Sequence, residues 1–139
     1  MFVELIPTLG NQILIGMKGL LKLEELGMLI LSFWAFHLTE QSWWWFFGLF
    51  LVPDIGMTGY LLNEKTGSWT YNIFHHKGIA LLVFFTGVFL SSMHLQIAGI
   101  ILFAHASFDR MLGYGLKYEK GFKFTHLGEI GPSKNKQVL

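Results

Sequence analysis

Residues 91–113 read SSMHLQIAGIILFAHASFDRMLG. A short polar turn, Ser91-Ser92-Met93-His94, opens the stretch, and from Leu95 to Ala104 it is almost wholly apolar. His105, Asp109 and Arg110 follow before Gly113 ends it. This pattern predicts a membrane-crossing helix over 95–112, since the whole stretch approaches the ~20 residues a helix needs to cross the hydrocarbon core. Four residues apart on a helix, His105 and Asp109 share a face, one above the other. A titratable pair inside an apolar span is costly, so it marks a functional site by default. The alternative is a structural pair, with His105 hydrogen-bonded to Asp109 or to a neighbouring helix.

Composition places the rest of the chain in the same setting. Of 139 residues, 53% are hydrophobic and 14% are charged, too apolar for an ordinary soluble domain of this size. The 14 Phe and 5 Trp suit a membrane protein with aromatic residues at its interfaces. With no cysteine, disulfides and thiolate metal sites are excluded, and any metal would rest on His, Asp or Glu. Residues 1–22 lack a basic segment leading to a small-residue cleavage site, so the chain is expected to insert through its own helices. There is no internal repeat and no low-complexity tract.

Working outward from 95–112, the predicted architecture is all-α, an integral membrane bundle of four transmembrane helices in a single membrane domain, 1–139. Residues 1–19 contain Pro7, Gly10, Gly16 and Gly19, which predict a break in any long helix. Ile13, Leu14, Ile15 and Met17, with Lys18 and Lys22, suggest a short interfacial helix there. The first span is 20–38, with Lys22, Glu24 and Glu25 at its start. Thr39-Glu40-Gln41-Ser42 is a tight turn, and Trp43-Trp44-Trp45 opens the second span, 43–62, at an interface. Pro53 removes a backbone donor from that span and is expected to kink it, with Gly56 and Gly59 allowing close approach of a neighbour. Residues 63–68 read as a loop. The third span is 71–90, the fourth is 95–112, and 113–139 read as a polar, basic tail.

Charge orients the bundle. All 10 Lys and Arg lie in three regions: Lys18 and Lys22, Lys65 and Lys77, and Arg110 through Lys136. The turns at 39–42 and 91–94 have none. With four spans the three basic regions share one side, which the positive-inside rule makes cytoplasmic. Both termini are then expected on the cytoplasmic side of a bacterial inner membrane, with the lipid bilayer as the main partner and a homo-oligomer as a further expectation. Nothing in this distribution points to nucleic acid.

Orientation also sorts the polar groups by depth. Asp54 falls past the midplane toward the cytoplasm, His75 and His76 near the cytoplasmic end, and His105 at mid-depth with Asp109 one turn deeper, about 6 Å. Asp54, His75, His76 and His105 are therefore candidate metal ligands, with zinc or manganese as the divalent ion, since imidazole and carboxylate together suit either. With Asp54, either His75 or His76, and His105 as ligands, Asp109 is a further ligand or orients His105, and Arg110 is placed to bind an anionic group. Glu24 and His126 are lesser candidates. The alternative is a hydrogen-bonded network in which Arg110 pairs with Asp54 or Asp109.

Several of these stretches carry a resemblance. Leu23-Glu24-Glu25, Pro53-Asp54 with Gly59-Tyr60, Tyr71-Asn72 with His75, Ala104-His105 through Lys117, and Thr125-His126-Leu127-Gly128 resemble a family of small bacterial membrane proteins known only as a domain of unknown function. That resemblance covers about residues 20–130 and implies a membrane protein without implying an activity. In order of motifs the chain is also similar to inner-membrane metal-dependent hydrolases of the LexA-binding type. The matching elements are Pro53-Asp54, then His76-Lys77-Gly78 with His75 alongside, then His105 to Asp109 followed by Gly113. Gly56 stands where that pattern has a second Asp, and the following Thr-His-Ser is missing, which implies a one-metal site or a lost activity. The function expected from this is a metal-dependent membrane hydrolase. The competing expectation is a non-catalytic transporter-like or partner-binding protein using the same cluster as a structural or ion-relay network.

Overall fold

The computed structural model describes residues 2–131, and the side chains from residue 10 onward with the exception of residue 11. The predicted tail residues 132–139 lie outside the described residues. The chain is mostly helical: α1 is Phe2–His37, α2 is Trp43–Leu49, a 3-10 helix spans Val52–Leu61, α3 is Glu64–His75, α4 is Lys77–Phe89 and α5 is Met93–Leu112. A small antiparallel hairpin, β1 Phe124–Thr125 and β2 Gly128–Glu129, departs from an all-helical chain.

Helix α5 is the axis of the fold. It packs on α1 along one side and on α4 along the other, while the 3-10 helix packs on α3. Leu29 and Phe36 of α1, Phe46 of α2, and Ile97, Ile100, Ile101 and Ala104 of α5 form the apolar core. Phe36 and Phe46 meet edge to face at 5.1 Å, a favoured aromatic geometry. Glycine lets α4 and α5 touch: a Cβ on Gly99 would lie 2.5 Å from the backbone N of Phe84, and one on Gly87 would lie 2.6 Å from that of Gln96. Both predicted tight turns are present, the second shorter than expected because α5 begins at Met93, so Met93 and His94 are helical. Ser92 N–H bonds Gly87 carbonyl at 2.8 Å, and Thr39 Oγ1 donates to Phe36 carbonyl at 2.6 Å.

Four expectations are corrected. The glycines of residues 1–19 do not break the chain, and α1 runs unbroken from Phe2. Each helical glycine costs about 1 kcal/mol against alanine, a penalty that does not forbid helix. The stretch 43–62 is not one kinked α-helix. Its α-helical part stops at Leu49, and beyond Pro53 the chain continues as the 3-10 helix. Residues 63–68 are not a loop: Asn63 accepts the Thr66 N–H at 2.8 Å as the N-cap of α3, and helix follows at once. Gly67 is buried in that helix because the Tyr60 ring lies where its Cβ would be, at 2.2 Å. The stretch 71–90 is divided at His76 into α3 and α4, which bend by 49°.

Residues 113–131 are more than a tail. Gly113, at φ 98°, ends α5, and the chain folds back along α3. The Asn72 amide clamps both backbone groups of Lys117, accepting its N–H at 2.7 Å and donating to its carbonyl at 2.9 Å. Trp69 Nε1 donates to Glu119 at 2.7 Å, and Phe122 N–H to Glu64 at 3.2 Å.

By length and composition α5 could cross a membrane alone, and the bent pair α3 and α4 meets the same condition jointly. Large apolar side chains are exposed along α1, α2, the 3-10 helix and α4, among them Leu20, Ile30, Trp44, Leu61, Leu82 and Phe89.

Candidate metal centre

Three elements bring Asp54, His75, His105 and Asp109 together. One ligating atom from each lies within 4.8 Å of all the others. His75 Nε2 is 3.5 Å from Asp54 Oδ1 and 3.3 Å from Asp109 Oδ2. His105 Nε2 is 3.3 Å from Asp54 Oδ1 and 3.8 Å from Asp109 Oδ1. The two Nε2 atoms face each other at 3.1 Å. The side chains of both histidines are buried, at 3% and 2% exposure, whereas that of Asp54 is 34% exposed and forms the open edge.

The backbone explains why both rings point inward. His75 is the last residue of α3, and its Nδ1 sits 2.9 Å from the Tyr71 carbonyl one turn back. His105 Nδ1 sits 2.7 Å from the Phe50 carbonyl. That carbonyl is available because of the change of helix type at Pro53. In an α-helix the Asp54 N–H would bond Phe50; here it bonds Leu51 at 3.1 Å. A carbonyl only accepts, so each neutral ring carries its proton on Nδ1 and presents a bare lone pair at Nε2.

With both rings neutral, two nitrogen lone pairs and two carboxylates converge. Two nitrogen lone pairs at 3.1 Å repel unless a cation lies between them or a ring takes up a second proton. Bonds of ~2.0–2.1 Å in a tetrahedral site place neighbouring ligand atoms roughly 3.3 Å apart. The five contacts measured here, from 3.1 to 3.8 Å, bracket that value. Imidazoles whose other nitrogen donates to a backbone carbonyl are the usual support of metal-binding histidines. The group can therefore hold a metal ion.

Of the residues singled out in the sequence, these four meet and the others do not. His76 is exposed at the junction of α3 and α4, and only its neighbour His75 turns inward. Glu24 is exposed, while Glu25 makes an ion pair with Lys77, both side chains being largely buried. Arg110 pairs with neither Asp54 nor Asp109; its Nη2 donates to the His75 carbonyl at 3.3 Å. His126 lies beside Arg110 in the segment after α5, where its Nδ1 accepts the Leu116 N–H at 2.8 Å. The i, i+4 pair His105 and Asp109 is the loosest of the contacts, at 3.8 Å.

Tyr71 belongs to the site and was not singled out as part of it. Its hydroxyl donates to Asp109 Oδ2 at 2.7 Å, and its ring stacks on His75 at 3.7 Å. The i, i+4 spacing of Tyr71 and His75 on a predicted helix was the available signal. Lys117 Nζ stands 4.9 Å from the centre of the Tyr71 ring and 3.9 Å from that of Phe122.

Burial pushes the Lys117 ammonium down to about 8, against the opposing pull of Asp109. The unfolded chain keeps this lysine protonated to about pH 10.4. Between about pH 8 and 10.4 the unfolded state binds more protons than the folded state, so folding stability rises with pH across that window. Below about pH 8 the cost of burying the charge is present in full. The expected result is a melting temperature that climbs by roughly 3–6 °C between pH 8 and 10 relative to a Lys117→Met variant. Parallel curves for the two proteins would show that the lysine is not desolvated.

No curated protein and no solved structure matches the chain. Residues 18–130, which hold all four cluster residues together with Tyr71, Lys117 and His126, match a family described as a domain of unknown function (DUF4260), and the chain belongs to that family.

Proposed function

We propose that this protein is a multi-pass protein of a bacterial cytoplasmic membrane whose Asp54, His75, His105 and Asp109 bind one divalent metal, zinc or manganese, as the centre of a hydrolase. The observation that carries the metal is the convergence of two Nε2 lone pairs and two carboxylates, with each Nδ1 already committed to a carbonyl. The membrane is supported by exposed apolar residues on several elements, since soluble monomers rarely expose such continuous surfaces. Helix α5 and the bent pair are apolar and long enough for two crossings; on this reading α1 from about Leu20 adds a third, and α2 with the 3-10 helix the fourth. The basic residues then sort to one side, with both termini cytoplasmic.

A bound divalent ion would supply a lowered pKa for water and polarisation of the scissile bond. The protein's own residues orient and admit. Tyr71 fixes the Asp109 carboxylate, Phe50 and Tyr71 carbonyls fix the rings, and Asp54 faces the open edge through which a substrate would enter. Arg110, one residue beyond Asp109, is placed to hold an anionic group.

A second reading is favoured by the number of ligands. Four protein ligands close a tetrahedral site, as structural ions prefer, whereas catalytic sites usually keep a position open. On that reading the ion ties the 3-10 helix, α3 and α5 together in a transporter-like or partner-binding protein, which would act as a homo-oligomer.

The test is metal analysis of the full chain purified in detergent without chelators. One zinc or manganese per chain is the expected result. A preparation with no metal and no uptake on titration removes the reading. A loaded protein that turns over no member of an ester and phosphoester panel, yet unfolds when stripped, selects the structural ion.

A further inference from the structure

A cavity of about 460 Å³ opens between α1, the end of α5 and the following segment. Lys18 and Lys22 of α1, Arg110 of α5 and His126 line it. Its one carboxylate, Glu25, is neutralised by the ion pair with Lys77. Among the described residues, no acidic group lies within 4 Å of the charged atoms of Lys18, Lys22 or Arg110. Among the described residues, Lys18, Lys22 and Arg110 therefore make no ion pair, and three cationic side chains face this cavity against the one carboxylate, Glu25, which is paired with Lys77.

The donors come from three separate segments and are held to different degrees. Arg110 is braced by its bond to the His75 carbonyl, which leaves the rest of its donor fork for a ligand. His126 accepts the Leu116 N–H through Nδ1, so its remaining nitrogen, Nε2, carries the proton of the neutral ring. Burial, and then the nearby Arg110, hold this histidine below its ordinary value, so it offers that donor as a neutral ring. The walls are apolar: Leu21 and Leu127 line the cavity, and Leu20 and Leu23 are exposed on the same helix.

We infer that this cavity binds the phosphate headgroup of an anionic lipid, with Lys18, Lys22 and Arg110 holding the phosphate and the leucines of α1 holding the first part of the acyl chain. An isolated phosphate would use the cations and leave the apolar wall unused. A zwitterionic headgroup would bring an ammonium into a cavity that already has a surplus of positive charge. Arg110 belongs to this cavity and also reaches His75, so a bound headgroup lies next to the metal centre. The inference names the substrate class for the proposed hydrolase and rests on that reading for the reaction, though not for the binding.

The experiment titrates the full chain, in a neutral maltoside detergent, with dihexanoyl phosphatidic acid, dihexanoyl phosphatidylcholine and inorganic phosphate. Phosphatidic acid is expected to bind at least tenfold more tightly than the other two. Lys18→Gln with Lys22→Gln, both at exposed positions, should weaken it by roughly 25-fold, about fivefold per lysine. The same affinity is expected for a His105→Ala variant, which keeps the binding question separate from the metal question. Equal affinity for inorganic phosphate would make this a free-phosphate site and overturn the lipid assignment. Equal affinity for phosphatidylcholine, or an unaffected lysine double variant, would overturn the cavity as a headgroup site. Loss of lipid binding in His105→Ala would place the phosphate on the metal and overturn it as well.

Discussion

His105→Ala is expected to abolish metal binding while the bundle stays folded. The imidazole supplies one of the four converging atoms and sits between His75, Asp54 and the Phe50 carbonyl. No neighbouring side chain replaces it. Asp109→Asn should weaken binding about 10–100-fold if the carboxylate only orients the rings, and further if it is a ligand. If the cluster were a hydrogen-bonded network without metal, the order would change. Removing His105 would then leave partners short of a donor in a buried site, and stability would fall most in that variant. Pairing Asp109→Ala with His105→Ala would restore part of it, because removing both sides leaves fewer orphaned groups. Metal content measured beside thermal unfolding for the two alanine singles and the double separates these outcomes. Unchanged metal content in all three, with stability recovered in the double, would leave the cluster as a structural network.

Stripping the metal should lower the melting temperature of the wild-type protein by roughly 8–16 °C. An ion present at about a thousand times its dissociation constant stabilises the folded state by about 4 kcal/mol. For a chain of this size each kcal/mol corresponds to roughly 2–4 °C. The physical cause is the arrangement itself: without a cation, two carboxylates and two nitrogen lone pairs are pressed together in a buried site. Zinc added back should restore the transition, and a Asp54→Ala, His75→Ala double variant should melt at one temperature with or without chelator. A wild-type transition that ignores both chelator and zinc would sink the idea that the ion is part of the fold.

Some of this was legible because it depends on short-range pattern. The ends of α5 follow from an apolar run opened by a polar turn and ended by Gly113, and the turn at 39–42 from its polar residues. Asp54, the pair His75 and His76, His105 and Asp109 stood out because titratable groups in apolar surroundings are costly wherever the chain places them. The choice between His75 and His76 was not legible. Adjacent residues point about 100° apart on a helix, and only the position of α5 decides which ring is buried.

The sequence by itself determined a helical, apolar chain, the two tight turns and the long last helix, and it named Asp54, His105 and Asp109 as candidates beside others that do not join the cluster. Tertiary structure decided the rest, because those features rest on groups far apart in the chain. The carbonyl that orients His105 belongs to Phe50, 55 residues away in sequence, and is set free by the change of helix type next to it. The closeness of Gly67 to Tyr60, which seats the 3-10 helix on α3, is a contact between two elements. The segment after Gly113 looked like a polar tail because its hydrogen-bond partners, Asn72, Trp69 and Glu64, all lie on α3. Periodicity reports which face of an element is apolar, and it carries no information about which distant backbone group will complete a side chain's hydrogen bonds.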